Sequence, residues 1–243
     1  MILEICIDSI ESALAAEAGG ADRLEVCNSL AAGGTTPSMG LVRRCIEETG
    51  LPVMMMIRPH DGTFVYGEQD LRVMIDDISA GIEAGVAGFV FGCLRPNGSL
   101  NKEQNRQLLS IVGDRQSTFH RAFDVTSSTE TPVDVLDQLI ELGFDRLLTS
   151  GKSQSALIGS GLIQTLVQHA DGRIKILAGA GVAGENVAEI VQRTGVSELH
   201  ASASESCVGA VVQDSNNEVS FGGARRVTSE KKVRAIVDAI SQR

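Results

Sequence analysis

The stretch TPVDVLDQLIELGFDRLLTSG, residues 131–151, contains the signals that decide the fold. Thr131 is a helix-capping residue, Pro132 suits the first helical turn, and Gly143 is a typical helix terminator. The apolar run at 145–149 follows directly and predicts a short buried strand. One helix followed by one strand is the unit that the rest of the chain repeats.

Short runs of apolar and β-branched residues predict eight strands, with segments of helical periodicity between them. The strands are expected near residues 3–7, 23–27, 53–58, 88–92, 117–120, 145–149, 174–178 and 198–201. This alternation requires parallel strands, so the expected fold class is α/β, a single (β/α)8 TIM barrel over residues 1–243. A doubly wound open sheet is the alternative. The count of eight strands and the lack of a GxGxxG after the first strand favour a closed barrel.

The last helix is expected to begin at about Ser229, and the longest irregular segment is expected at about 203–227. Below the strand ends we expect the inside of the barrel to be filled with apolar side chains.

Composition narrows the class of protein. The chain has 243 residues and a net charge of −10, whereas phosphate binding needs a basic surface, so no nucleic-acid partner is expected. The amino terminus has no basic region, and no run of eighteen apolar residues exists, so we expect no signal peptide, no membrane contact and a cytoplasmic location. Neither a dinucleotide nor a P-loop motif is present, and no nucleotide cofactor is expected.

Polar residues follow the predicted strands at the end of the barrel where TIM-barrel sites lie. Candidates for moving protons are Glu25, His120 and Asp124. Candidates for binding a small anion are Arg58, Arg121, Thr149, Ser150, Gly179, Gly181, His200 and Ser202. We also consider structural roles, namely a salt bridge from Arg58 to Glu4 or Glu25 and ordinary core hydrogen bonds for the two histidines.

The sequence resembles the copper homeostasis protein CutC family over nearly its whole length. The matching motifs are LEVC at 24–27, GGTTPS at 33–38, IRP at 57–59, TFHRAFD at 118–124, LLTSG at 147–151 and AGAGV at 178–182. The resemblance implies a cytoplasmic TIM barrel that is often a homo-oligomer and is assigned to copper homeostasis, with no established reaction. The tail at 221–226 does not align with the family pattern.

Two functions follow as hypotheses. The first is copper binding, because Cu(I) prefers thiolate ligands and the strands Leu3–Cys6 and Leu24–Cys27 each place a cysteine two residues after a glutamate. Cys6 and Cys27 are then the expected ligands, although two small residues packed on adjacent strands would give the same pattern. The second is an isomerase, lyase or hydrolase acting on a small anionic substrate, which would use the polar strand ends more fully. A module that only binds a protein partner is the least attractive alternative.

Overall fold

The computed structural model describes residues 1–208, 212–213, 220–221 and 224–241. Eight parallel strands form a closed barrel in chain order, and the last strand pairs with the first. They are β1 (Ile2–Ile7), β2 (Arg23–Val26), β3 (Val53–Met56), β4 (Gly88–Phe91), β5 (Gln116–Phe119), β6 (Arg146–Thr149), β7 (Lys175–Ala178) and β8 (Glu198–Ala201). The predicted (β/α)8 TIM barrel is therefore confirmed.

Helices follow the strands and surround the barrel. They are α1 (Ile10–Gly19), α2 (Met39–Glu48), α3 (Glu68–Ala84), α4 (Lys102–Val112), α5 (Pro132–Leu142), α6 (Ser160–Ala170), α7 (Val187–Thr194) and α8 (Glu230–Ser241). The caps of α5 are those expected from the sequence. The Thr131 hydroxyl accepts a hydrogen bond from the Asp134 amide at 3.2 Å, and Gly143 adopts a left-handed conformation with φ of 91°.

The two faces of the barrel sheet differ in polarity. Outward-facing side chains such as Leu3, Ile5 and Phe89 are fully buried in the aliphatic layer between strands and helices. On the inner face, a small apolar cluster lies beside β3 and β4 and consists of Cys27, Met54, Met56 and Val90. Leu148 and Leu177 are further buried apolar residues outside the outer layer, but other interior positions carry charges, so the expectation of apolar inner layers is wrong in part.

Those charges form a buried ion network of Glu4, Arg23, Glu198 and Arg146. Arg23 donates to Glu4 at 2.6 Å through Nε and to Glu198 at 2.7 Å through Nη2. Arg146 donates to the same Glu198 oxygen at 2.8 Å. The charged groups are tolerated inside the barrel because each one has an opposite charge within hydrogen-bonding distance.

The segment at 203–227 is not irregular throughout, so that expectation is also wrong. β9 (Ser204–Val208) and β12 (Ala224–Thr228) pair as an antiparallel ladder, and β10 (Val212–Gln213) pairs with β11 (Ser220–Phe221). These strands pair backbone N–H and C=O groups that lie about twenty positions apart, and a pattern of neighbouring residues does not predict such pairing. The remaining positions, 209–211, 214–219 and 222–223, lie outside the described residues. Among the described residues no helix combines the length and the apolar character needed to cross a membrane.

Candidate functional site

A cavity of about 240 Å³ opens at the carboxyl ends of the strands, and we call it the mouth cavity. Of the residues predicted from the sequence, those that line it are Cys6, Glu25, His120, Arg121, Gly181, His200 and Ser202. Arg58, Asp124, Thr149, Ser150, Gly179 and Cys27 do not line it. The cavity lies at the end of the barrel where the site was predicted, but only part of the predicted residue set lines it.

Three possible metal ligands meet on one wall of the mouth cavity. One donor atom from each of Cys6, Glu25 and His200 lies within 4.8 Å of the other two. Cys6 and Glu25 are register partners on β1 and β2, and closure of the barrel brings His200 on β8 beside β1. The Nε2 atom of His200 is 3.8 Å from the Glu25 carboxylate. We call this group the Cys–Glu–His cluster.

His200 is held in place from its other ring nitrogen. Nδ1 lies 2.8 Å from Oε1 of Glu4, and Arg23 of the buried ion network donates to the other oxygen, Oε2, of the same carboxylate. Burial alone lowers the pKa of His200, but Cys6, Glu25 and Glu4 outweigh it, so this pKa is raised well above its ordinary value. The pKa of Glu4 is lowered to about 2, because its bonds to His200 and Arg23 overcome the effect of burial.

Glu25 has an unusual environment for a carboxylate. Its Oε2 accepts a bond from the Cys27 thiol at 3.4 Å, while Oε1 is buried and has no hydrogen-bond partner among the described residues. Burial raises the pKa of Glu25, with the nearby Glu4 acting in the same direction and His200 opposing it. A buried carboxylate oxygen without a donor is ready to accept a proton, a ligand group or a cation.

Cys27 is not part of the Cys–Glu–His cluster, whereas Cys6, its predicted partner in a copper site, is part of it. The Cys27 side chain is fully buried beside Met56, and a Cβ added at Gly34 would lie 3.3 Å from its sulfur. Burial and the negative charge of Glu25 raise the pKa of Cys27 well above its ordinary value. The register places Cys6 level with Glu25, whereas Cys27 lies two residues after Glu25 and one residue past the end of β2.

His120 lies at the end of β5, and its ring packs against Phe64 at 4.7 Å and Phe119 at 6.0 Å between centroids. Its Nδ1 accepts a hydrogen bond from the Ala122 amide at 3.3 Å, and its buried Nε2 has no partner among the described residues. Burial and the neighbouring positive charge of Arg58 lower the pKa of His120 to about 3. His120 is therefore neutral near pH 7, with Nε2 as the nitrogen that carries hydrogen.

The hydrogen bonds of Asp124 are those of a structural carboxylate, and not those of the predicted acid or base. Its oxygens accept bonds from the Thr149 hydroxyl at 2.5 Å, from Arg121 Nε at 2.8 Å and from the amides of Ser150 and Lys152 at 3.1 Å. With both oxygens accepting several bonds, the carboxylate fixes the loops after β5 and β6. Thr149 and Ser150 belong to this loop support, whereas Arg121 also reaches the mouth cavity.

Arg58 is likewise a support for loops. Nη1 donates to the carbonyls of Ala32 and Gly34, and Nη2 donates to those of Asp61 and Gly62, at 2.7–3.0 Å. The salt bridge to Glu4 or Glu25 that we considered is wrong, because Arg23 is the arginine that pairs with Glu4. The predicted anion clamp is not formed either, since both Nη groups are already committed and the residue is only 5% exposed.

The glycine-rich turn after β7 has two different roles. A Cβ at Gly179 would lie 2.7 Å from Leu148, so glycine is needed there for packing against β6. Gly181 has a φ of 70° and lines the mouth cavity beside Ser202. Ser202 lies 3.2 Å from the hydroxyl of Ser204, so the predicted anion-binding turn contributes Gly181 and Ser202 to the cavity but not Gly179.

Sequence reasoning missed the part that Glu4 plays beside His200. Glu4 was considered as a partner of Arg58 and as the glutamate before Cys6, and His200 as an anion ligand or as a histidine with ordinary core hydrogen bonds, but the two were not connected. The two residues are 196 positions apart, and no local motif connects them. Closure of the barrel between β8 and β1 is the only feature that could have indicated the contact.

Comparison with known proteins identifies the family. The profile of the CutC family matches residues 1–205. A Homo sapiens protein named copper homeostasis protein cutC homolog is 40% identical, with 97% of this chain and 87% of that protein covered. A CutC family protein from Histophilus somni is 46% identical, with 84% of this chain and 82% of that protein covered.

Solved structures agree with the sequence comparison. A crystal structure of the Streptococcus agalactiae protein assigned to CutC superposes with a TM-score of 0.79 at 35% identity, covering 83% of this chain and 98% of that one. A protein called QR15, an aldolase, is only 13% identical with a TM-score of 0.61, which is a likeness of fold alone. On the family profile and these relatives, the chain belongs to the CutC family, whose human relative is named for copper homeostasis.

Proposed function

We propose that this CutC-family protein acts in copper homeostasis by binding Cu(I) in the mouth cavity, through the thiolate of Cys6 and the imidazole of His200. The observation that carries the proposal is the Cys–Glu–His cluster, whose donor atoms lie within 4.8 Å of one another. Thiolate and imidazole are both ligands that copper accepts, and thiolate in particular favours Cu(I). Cys27 is replaced as the second ligand by His200.

Glu25 has a different part in this proposal. A carboxylate is a harder ligand than Cu(I) prefers, but its negative charge beside the thiolate and imidazole would attract any cation. A set of one cysteine, one histidine and one glutamate also suits Zn²⁺. The test therefore has to compare the two metals rather than copper alone.

The test is competition for Cu(I) against a chromophoric chelator under reducing, oxygen-free conditions, with a parallel titration of Zn²⁺. We expect Cys6→Ala and His200→Gln each to weaken Cu(I) binding by about tenfold or more, the scale seen when a metal's ligand shell is damaged. Cys27→Ala is the matched control and should change the affinity by less than about threefold, which is under 1 kcal/mol.

All of these variants are made with Cys207→Ser, because Cys207 is the one cysteine of the chain that is not buried. Tight Cu(I) binding that survives both Cys6→Ala and His200→Gln would contradict the proposal. Stronger binding of Zn²⁺ than of Cu(I) would assign the cluster to zinc instead.

A second candidate function is an enzyme acting on a small anionic substrate. The observation that favours it is a chain of three side chains, in which Cys6 lies beside His200 and His200 is held by Glu4. Enzymes that use a thiol nucleophile have the same arrangement of nucleophile, base and orienting carboxylate. Its test is the rate at which iodoacetamide alkylates Cys6, followed by mass spectrometry of the peptide. If the Cys6 thiol is activated, we expect iodoacetamide to alkylate it faster than Cys207, and Glu4→Gln to slow the alkylation of Cys6. Equal rates for Cys6 and Cys207 would exclude this candidate.

The cytoplasmic location and a homo-oligomeric state are further proposals, and both rest on the family resemblance. Light scattering on the eluted protein measures the oligomeric state directly. A mass equal to the 25.6 kDa of one chain would contradict self-association.

A further inference from the structure

Two polar groups of the mouth cavity are not explained by metal binding through Cys6 and His200. They are Nε2 of His120 and Oε1 of Glu25, which are both buried and lack hydrogen-bond partners among the described residues. Each residue is only 3% exposed, and both line the same cavity. An unpaired buried polar group costs about 1–3 kcal/mol, so two in one cavity indicate a ligand that pairs with them.

The first group is a hydrogen-bond donor. The Ala122 amide donates to Nδ1 of His120, so the ring hydrogen lies on Nε2. Contacts with Phe64 and Phe119 keep the ring from turning to another partner. What is missing at this position is an acceptor, such as an oxygen of a bound molecule.

Arg121 adds a positive charge at the rim of the same cavity. Its Nε is bound to Asp124 and its Nη2 to Ser150, at 2.8 and 3.0 Å, so the guanidinium is held at a fixed place. Its side chain is still 46% exposed, which leaves the rest of the fork accessible. A fixed arginine next to a neutral donor suits the oxygens of a carboxylate or a phosphate.

The second group is an acceptor. Oε1 of Glu25 can take a hydrogen bond from a hydroxyl or an amine, but it would repel a second anionic group. The ligand therefore needs an anionic end and a donor end. The cavity, at about 240 Å³, is smaller than the range of about 300–1,000 Å³ that is typical of drug-sized ligands.

We propose that the mouth cavity binds a small organic oxyanion that also carries a hydroxyl or an amine. The oxyanion contacts His120 Nε2 and Arg121, and the hydroxyl or amine donates to Glu25 Oε1. This inference rests on the second candidate function and gives the chemistry of its substrate. It can be separated from copper binding, because the two residues that contact the oxyanion, His120 and Arg121, lie outside the Cys–Glu–His cluster, and Glu25 is the residue that the two proposals share.

The experiment is calorimetric titration of the full chain in the presence of a metal chelator. The probes are glycolate, a carboxylate with a hydroxyl, and glycerol phosphate, a phosphate with hydroxyls. Acetate and inorganic phosphate are the matched probes that lack the hydroxyl. We expect one hydroxylated probe to bind more tightly than its matched anion, and the better of the two identifies carboxylate or phosphate as the anionic end.

Variants connect the binding to the residues. His120→Phe and Arg121→Met are each expected to weaken binding of that probe about tenfold, the effect of losing one good hydrogen bond. His120→Gln keeps an N–H group at a similar distance and is expected to retain affinity within about threefold. Arg173→Met changes an exposed arginine paired with Asp137 and is the control that leaves binding unchanged.

The proposal is wrong if no probe binds, or if His120→Phe binds as tightly as the original protein. If His120→Phe does not fold, Arg121→Met decides the outcome, since that side chain is half exposed and its replacement leaves the core intact. Cys6→Ala separates this inference from copper binding, because it should abolish Cu(I) binding while the probe still binds.

Discussion

Two buried histidines face the same cavity and have opposite protonation behaviour. His200, on β8, has a raised pKa because the carboxylates of Glu4 and Glu25 and the sulfur of Cys6 surround it. His120, after β5, has a pKa lowered to about 3 by burial and by the charge of Arg58. The two side chains are nearly equally hidden, at 9% and 3% exposure, so burial cannot be what distinguishes them.

The difference shows that neighbouring charges decide the state of a group inside this barrel. On the β8 side the buried ion network supplies carboxylates, and the histidine becomes a cation. On the β5 side the carboxylate of Asp124 is already used by loop amides and Arg121, so His120 has no counter-charge and remains a neutral donor. One side of the cavity is therefore suited to holding a proton or a metal ion, and the other to donating a hydrogen bond.

The largest expected effect comes from Glu4→Gln. It removes the carboxylate that holds both His200 and Arg23, and losing one partner of a buried ion pair costs about 3–5 kcal/mol of unfolding free energy. Urea unfolding at pH 7 measures the loss, and NMR titration should show the pKa of His200 falling. The control is Glu189→Gln, which breaks an exposed pair with Arg193 and should cost less than about 1 kcal/mol. Equal losses in the two variants would contradict the role given to the network.

An intermediate effect on the unfolding free energy is expected for Asp124→Asn, and Glu25→Gln is the variant with which it is compared. The first replaces an oxygen that accepts several hydrogen bonds and should lower the unfolding free energy by about 2–3 kcal/mol. The second removes a buried charge that has one unpaired oxygen, so its cost should be below about 1 kcal/mol. Urea unfolding of both variants checks the order, and the reverse order would mean that Asp124 is not the structural carboxylate of the pair.

The smallest expected effect is on acid stability. His120 has a pKa of about 3 when folded and about 6.5 when unfolded, so between these values the unfolded chain binds more protons and stability falls as the pH falls. His120→Gln removes this contribution, and the variant should lose about 1 kcal/mol less than the original protein between pH 6.5 and pH 5.5. Urea unfolding at the two pH values measures the difference. An identical loss in both proteins would show that His120 is not held neutral.

Much of the fold could be predicted from the sequence because its signals are local. Capping residues and apolar periodicity predicted α5 and all eight strands to within a few residues. The polarity of the barrel interior could not be predicted in this way. Arg23 and Glu198 are 175 positions apart, and each looks like an isolated charge at the start of a strand.

The mouth cavity lies at the end of the barrel predicted for the site, and only part of the predicted residue set lines it. Ends of parallel strands meet at one end of a barrel, so Glu25, His120 and His200 were expected to gather there. The direction of each side chain depends on the loops around it, and these loops turn Arg58 and Asp124 towards backbone groups instead of towards the cavity.

The sequence by itself determined the order of strands and helices, and hence the barrel and the end at which its mouth cavity lies. The period of apolar residues and the caps act within a few positions of each other, so they can be read along the chain. Only the tertiary structure decided that Cys6 is grouped with His200 and Glu25, and that Glu4 holds His200. Those contacts depend on the register between β1 and β2 and on the closure of β8 against β1, which are set by packing of the whole barrel.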